Sequence, residues 1–186
     1  MLLFLKRELK IAARNWELAV VNALIATALA LVFSAVDYRG GLLAAVLISS
    51  FLYSHLLLLR EEELGTLDGL RLLKKHEEFF LAKTTATALL NLLTSASYTA
   101  VYAAASLRPV DFIAAVYTPA YLGVVSTASA FLALSTRTKQ IMSLFLTSAL
   151  SLGFSASLVR EGLSVATALT APAFAAIAIA LSRELS

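Results

Sequence analysis

The chain contains no cysteine, which excludes disulfide bonds, thiolate metal sites and thiol nucleophiles. It also has few charged residues: 15% of its 186 residues are Asp, Glu, Lys or Arg, while 60% are hydrophobic. Soluble domains have about 25% charged and 45–50% apolar residues, so this composition is that of an integral membrane protein. The net charge of +3 is accounted for by the loops between membrane spans, and we expect no nucleic-acid partner.

Motifs that bind nucleotides or carry out hydrolysis are also missing. Neither GxxxxGK[ST] nor GxGxxG occurs, and neither does HExxH or GxSxG. We therefore expect no catalytic residue, no cofactor and no metal site in this chain. If ATP drives its activity, the ATPase is a separate polypeptide.

Long apolar segments predict an all-α integral membrane protein with six transmembrane helices. At about 20 residues per span, six spans and their loops use up the chain, so we expect one membrane domain over residues 1–186. The predicted spans are approximately residues 17–35, 42–59, 79–106, 112–134, 141–158 and 163–181.

The distribution of basic residues predicts the orientation of these spans. One side of the membrane collects twelve Lys and Arg residues, from Lys6 to Arg183, whereas the other collects only Arg39, Arg108 and Arg160. Cytoplasmic loops carry an excess of Lys and Arg, so the twelve are expected inside. This predicts a multi-pass protein of the cell (cytoplasmic) membrane with both termini in the cytoplasm.

An amphipathic helix is predicted at the N-terminus, over residues 2–15. Its apolar residues form one stripe and its basic residues lie on the other side, as in helices that lie in the plane of the membrane surface. The stripe consists of Leu2, Leu5, Leu9 and Ala12 or Ala13, and the basic side of Lys6, Arg7, Lys10 and Arg14. A frayed, solvated tail is the alternative.

The densest cluster of charges, residues 60–83, lies between the second and third predicted spans. Each charge at the bilayer centre costs about 2.5–3.5 kcal/mol, so this stretch is expected to be a cytoplasmic loop. Within it, Thr66 is a candidate N-cap, and leucines recur at helical spacing over residues 66–75. We expect a short amphipathic helix that docks in a groove of a partner protein.

Ionisable residues inside the spans are scarce, and His55 is the only one well within a span, which disfavours a secondary transporter. His55 is interpreted as a hydrogen-bonding residue rather than a haem ligand.

Neutral polar residues are common inside the spans, and those of the third span share one helical face. They line a translocation path or pack helices together, and both interpretations stay open. These candidate residues are Thr87, Asn91, Ser95, Tyr98 and Tyr102, while Thr147, Ser151 and Ser155 on the fifth span are interpreted as packing residues.

Three features together resemble a known family: KRELKIAARN before the first span, EELGTLDGLRLL followed by LAK at the start of the third, and a basic turn after the fourth. They are similar to the permeases of second-type ABC exporters, and more narrowly to the haem exporter protein B (CcmB) family of cytochrome c maturation. The similarity extends at residue level over residues 5–15 and 60–90.

The resemblance implies a permease subunit that works with a separate ABC ATP-binding subunit. The other expected partners are membrane lipid, other cytochrome c maturation membrane proteins and further subunits of a homo- or hetero-oligomer. It implies no haem ligand in this chain. Permeases of drug, lipid or copper-linked exporters are an alternative, as is a membrane assembly scaffold that transports nothing. The residues expected to couple to the ATPase are Gly65, Thr66, Leu67, Asp68, Leu70 and Leu73.

Overall fold

The computed structural model of the chain describes residues 2–59, 76–106, 108–133, 139–161, 172–173 and 176, and these residues contain no β-strand. Six helices are described: α1 Leu2–Arg14, α2 Trp16–Phe33, α3 Tyr38–Ser54, α4 His76–Ser106, α5 Phe112–Ala133 and α6 Lys139–Glu161. A π-helical turn, His55–Leu59, extends α3. The expected helix over residues 66–75 and the sixth span over residues 163–181 lie outside the described residues.

Four of the described helices are long and apolar enough to cross a membrane, as expected of a multi-pass membrane protein. They are α2, Tyr38–Leu57 in α3 and its extension, α5, and Ile141–Arg160 in α6. Helix α4 corresponds to the predicted third span but is not among the four. Its 31 residues measure about 46 Å, enough to cross, but it carries many polar side chains.

The position of α4 explains its polarity. It packs against α1, α2, α3 and α5 and so forms the centre of the bundle. In helix α2, by contrast, only 17% of the residues are buried, and α2 is the most apolar of the four spans. A central helix meets protein on several sides, where hydroxyl and amide groups find partners, whereas a peripheral helix meets lipid.

Polar residues define the ends of the helices. The side chain and the backbone N–H of Asn15 both donate to the carbonyl of Ile11, which ends α1. Asp37 is the N-cap of α3 and accepts a hydrogen bond from the Gly40 N–H at 2.7 Å. Helix α3 therefore begins at Tyr38, four residues before the predicted start of the second span, because Asp37 caps a helix start within the residues between the first two predicted spans.

Helix α1 has three faces rather than the two that the sequence pattern suggests. Leu5 and Ala12 of the predicted apolar stripe pack on the bundle together with Ile11. Leu2 and Leu9 of the same stripe are exposed. At 100° per residue the exposed leucines lie between the inward face and the basic residues, which are also exposed. The predicted stripe is thus divided between a protein contact and an outward apolar strip.

Candidate functional site

The polar face of α4 is the most distinctive feature of the bundle interior. All five residues that the sequence analysis named on this face are at most 2% exposed. They occupy successive levels of α4, which packs against both α3 and α5. These residues are Thr87, Asn91, Ser95, Tyr98 and Tyr102.

Asn91 joins three helices at the middle of this face. Its Nδ2 donates to the Ser50 hydroxyl of α3 at 2.7 Å and, more weakly, to the Pro119 carbonyl of α5 at 3.4 Å. One turn further along, the hydroxyls of Thr94 and Ser49 form a second α3–α4 hydrogen bond of 2.8 Å. Buried amide and hydroxyl donors in a membrane protein need such acceptors, and α3 and α5 provide them for Asn91 Nδ2. Asn91 Oδ1, by contrast, has no hydrogen-bond partner among the described residues.

Ser95 compensates for a proline in the facing helix. Pro119 lies inside α5 and has no N–H, so the carbonyl of Ala115, four residues earlier, loses its donor within the helix. The Ser95 hydroxyl donates to that carbonyl at 2.6 Å. A side chain of α4 therefore replaces a backbone hydrogen bond of α5.

Three tyrosines close the end of the bundle remote from α1. The Tyr98 hydroxyl donates to the Tyr38 carbonyl at 3.1 Å, and the Tyr38 hydroxyl bonds the Thr99 hydroxyl at 2.8 Å. The Tyr102 ring stacks on Tyr98 and meets Tyr38 edge-on, with ring centroids 5.0 Å apart in the second pair. This tyrosine cluster fixes the start of α3 against the last turns of α4.

An ion pair is buried at the opposite end of α4. Lys83 Nζ lies 2.5 Å from Glu8 Oε2, and both side chains are at most 1% exposed. The same ammonium lies 4.9 Å from the centre of the Phe79 ring, within cation–π distance. Phe4 of α1 meets Phe79 edge-on at 6.2 Å beside the pair. Helix α1 is thereby attached to the beginning of α4.

This pair corrects one expectation from the sequence. The sequence pattern predicts that Lys83 belongs to a cytoplasmic loop, but in the structure it is a buried residue of α4. Without Lys83 the count of basic residues is eleven against three, and its direction is unchanged. Glu8 and Lys83 are 75 residues apart in the sequence, and no local sequence pattern indicates that they pair.

Several buried polar atoms have no hydrogen-bond partner among the described residues. They include both amide atoms of Asn22, which is 1% exposed on α2, and the hydroxyls of Thr87 and Thr118. His55 begins the π-helical turn, stacks on Phe51 at 6.5 Å, and its Nδ1 is likewise unpartnered within the described ranges. No group of His, Cys, Asp or Glu in those ranges is arranged to hold a metal ion.

The structure places the five candidate residues of α4 on one buried face. That they line a translocation path stays a prediction. The contacts of Asn91, Ser95 and Tyr98 are those of helix packing, the second of the two interpretations of this face. The hydroxyls of Thr147, Ser151 and Ser155 donate to carbonyls of their own helix. The six residues expected to couple to the ATPase, from Gly65 to Leu73, lie outside the described residues.

Comparison of the chain with protein families, with curated proteins and with solved structures finds no match.

Proposed function

We propose that this chain is the permease subunit of an ABC-type exporter of the haem exporter or cytochrome c maturation kind. In this proposal it has six spans, lies in the cell membrane with both termini in the cytoplasm, and performs no catalysis. A separate ATP-binding subunit supplies the energy. Membrane lipid, other cytochrome c maturation proteins and a further permease subunit, identical or different, are its expected neighbours.

The observation that carries the proposal is the contact between the two segments that resemble the CcmB family. Helix α1 contains the first segment and packs against α4, whose start belongs to the second. The buried Glu8–Lys83 pair and the Phe4–Phe79 contact hold them together. Two segments far apart in sequence thus form one unit at one end of the bundle.

This arrangement suits a protein that receives force from a partner. The π-helical turn that ends at Leu59 and the helix α4 that begins at His76 both pack against α1. Residues 60–75 join these two elements along the chain. A partner that moves this connection acts on α4 directly and on α1 through the Glu8–Lys83 pair. Because α4 contacts α2, α3 and α5, its displacement reaches most of the bundle.

Two alternatives keep the same fold. A permease of a drug, lipid or copper-linked exporter would also use a separate ATPase, and only the transported substrate would differ. A membrane assembly scaffold would hold partner subunits without transport. The polar face of α4 favours the scaffold, because its hydrogen bonds join α4 to α3 and α5. ATP-dependent change at residues 66–75 separates a permease from a scaffold.

The test uses the leucines expected to anchor the partner. Leu67 and Leu70 are both changed to Asp, and the proposed ATP-binding subunit is pulled down with the chain from detergent-solubilised membranes. Helix-in-groove contacts concentrate their energy in a few apolar anchors, so we expect the double variant to lose the ATPase while the chain stays inserted. Lys75→Gln, a change at the charged rim, is the matched control and should bind nearly as well as wild type. Undiminished recruitment and stimulation of the ATPase by the double variant would contradict the proposal.

A further inference from the structure

A charged cavity lies at the end of the bundle opposite α1, between the turns that precede α3 and α5. Its volume is about 280 Å³. It is open to the outside, and its lining includes Asp37, Arg39, Arg108 and Asp111. We call it the turn cavity.

The turn cavity lies at the edge of the membrane. The candidate spans of α3 and α5 begin at Tyr38 and Phe112, each directly after a lining aspartate. Residues at the ends of spans lie at the depth of lipid headgroups. A ligand of this cavity therefore meets both water and lipid headgroups.

Two of its four charges neutralise each other. Arg39 donates from Nε and Nη2 to Asp111 Oδ2 at 3.0 and 2.9 Å. The other oxygen of Asp111 accepts the Ala114 N–H at 3.0 Å and caps α5. This pair ties the two turns together and has little remaining capacity to attract a ligand.

The remaining two charges have no ion-pair partner among the described residues. Among the described residues, the Arg108 side chain donates only from Nη1, to the Val36 carbonyl at 3.5 Å. Asp37 accepts the Gly40 N–H on Oδ2 and forms no ion pair within those residues. The lining of the turn cavity thus offers one cation and one anion to a ligand.

We propose that the turn cavity binds a zwitterionic group that carries a phosphate and an ammonium, with the phosphate on Arg108 and the ammonium on Asp37. The planar guanidinium fork matches phosphate oxygens, and a carboxylate accepts hydrogen bonds from an ammonium. The overall charge of the lining is zero, which favours a neutral zwitterion over a simple anion. Zwitterionic phospholipid headgroups have this chemistry, and so does free phosphoethanolamine.

The experiment counts lipids that stay bound to the detergent-solubilised chain in native mass spectrometry. Short-chain phosphatidylethanolamine is compared with phosphatidylglycerol, which lacks the ammonium. We expect one phosphatidylethanolamine per chain. Arg108→Gln and Asp37→Asn should each lower its retention about tenfold, the effect of losing one charge-assisted contact. Asn is as good an N-cap as Asp, so Asp37→Asn keeps the start of α3.

Arg160→Gln is the matched control, because it removes the third basic residue of the same predicted side, at the end of α6 and away from the turn cavity. Arg108→Lys keeps the charge but not the fork and should retain part of the binding. Competition by free phosphoethanolamine would assign the site to a soluble ligand, and its failure to compete would assign the site to lipid. Unchanged retention in Arg108→Gln, or equal retention of phosphatidylglycerol with no effect of Asp37→Asn, overturns the proposal.

Discussion

The Ser95 hydroxyl of α4 donates to the Ala115 carbonyl of α5 at 2.6 Å, at the one position where Pro119 leaves α5 without its own donor. Proline inside a membrane helix requires such a substitute, because no water is present to satisfy the carbonyl. The α4–α5 contact is therefore specified by a pair of positions on different helices, a serine and a proline, rather than by apolar packing alone.

Replacing Ser95 by Ala should destabilise the protein by about 1–2 kcal/mol. The variant leaves the Ala115 carbonyl buried and unsatisfied, although measured interhelical hydrogen bonds in membranes average only about 0.6 kcal/mol. Restoring an N–H with Pro119→Ala should remove most of this cost. The measurement is a double-mutant cycle on unfolding in mixed detergent micelles.

Ser97→Ala is the control for this cycle. Ser97 donates within α4 to the Leu93 carbonyl, which its own backbone N–H also reaches in a regular helix, so we expect little loss of stability. Equal costs of Ser95→Ala with and without Pro119 would show that the serine does not serve the proline.

The buried Glu8–Lys83 pair should be sensitive to loss of either partner. Glu8→Gln or Lys83→Met alone removes one member of a buried ion pair, which typically costs about 3–5 kcal/mol. The double variant Glu8→Gln with Lys83→Met should cost much less than the sum, because both buried charges are removed together. Thermal unfolding of the purified variants measures the coupling.

Lys10→Met on the exposed side of α1 is the control for this pair, since it removes a charge of the same helix without burial and should change stability little. Additive single-variant effects would mean that Glu8 and Lys83 do not act on each other.

Gly41 is the position in α3 where a side chain has least room. A Cβ built there would lie 2.7 Å from the Cβ and Cγ of Phe33, and it would also meet the Tyr98 hydroxyl. Gly41→Ala should therefore separate α2, α3 and the tyrosine cluster and destabilise the protein by about 1–3 kcal/mol.

Gly153→Ala provides the contrast, because no atom of the described residues lies within 4 Å of a Cβ at this position. Alanine favours helix over glycine by about 1 kcal/mol, so this variant should be neutral or stabilised. Comparing the unfolding temperatures of the two glycine variants checks the prediction, and equal effects would refute it.

The orientation can be tested by cysteine labelling, which needs no background correction because the chain has no native cysteine. Gly65→Cys and Arg137→Cys should react with a membrane-impermeant reagent only from the cytoplasm, and Arg160→Cys only from outside. The positive-inside rule is the basis of this expectation. If Gly65→Cys or Arg137→Cys reacts from outside, or if Arg160→Cys reacts from the cytoplasm, the proposed topology is wrong.

Composition and local pattern were sufficient for the class of protein and for most helices. The predicted spans 112–134 and 141–158 agree with Phe112–Ala133 and Lys139–Glu161 to within three residues at each end. Hydrophobicity is summed along the chain, so a single sequence reveals it. The five-residue polar face of α4 was likewise visible from helical spacing, because all of its members belong to one helix.

The partners of those residues could not be read from the sequence. Nothing near Ser95 indicates that its acceptor is Ala115, although Pro119 marks a carbonyl in need of a donor. Lys83 looked like a loop charge because it follows a charged stretch, and Glu8 like one more polar residue of an amphipathic helix. Only the packing of α1 on α4 places the two together and excludes water from both. The cost of a buried charge depends on its surroundings in space, and those are decided by the tertiary structure.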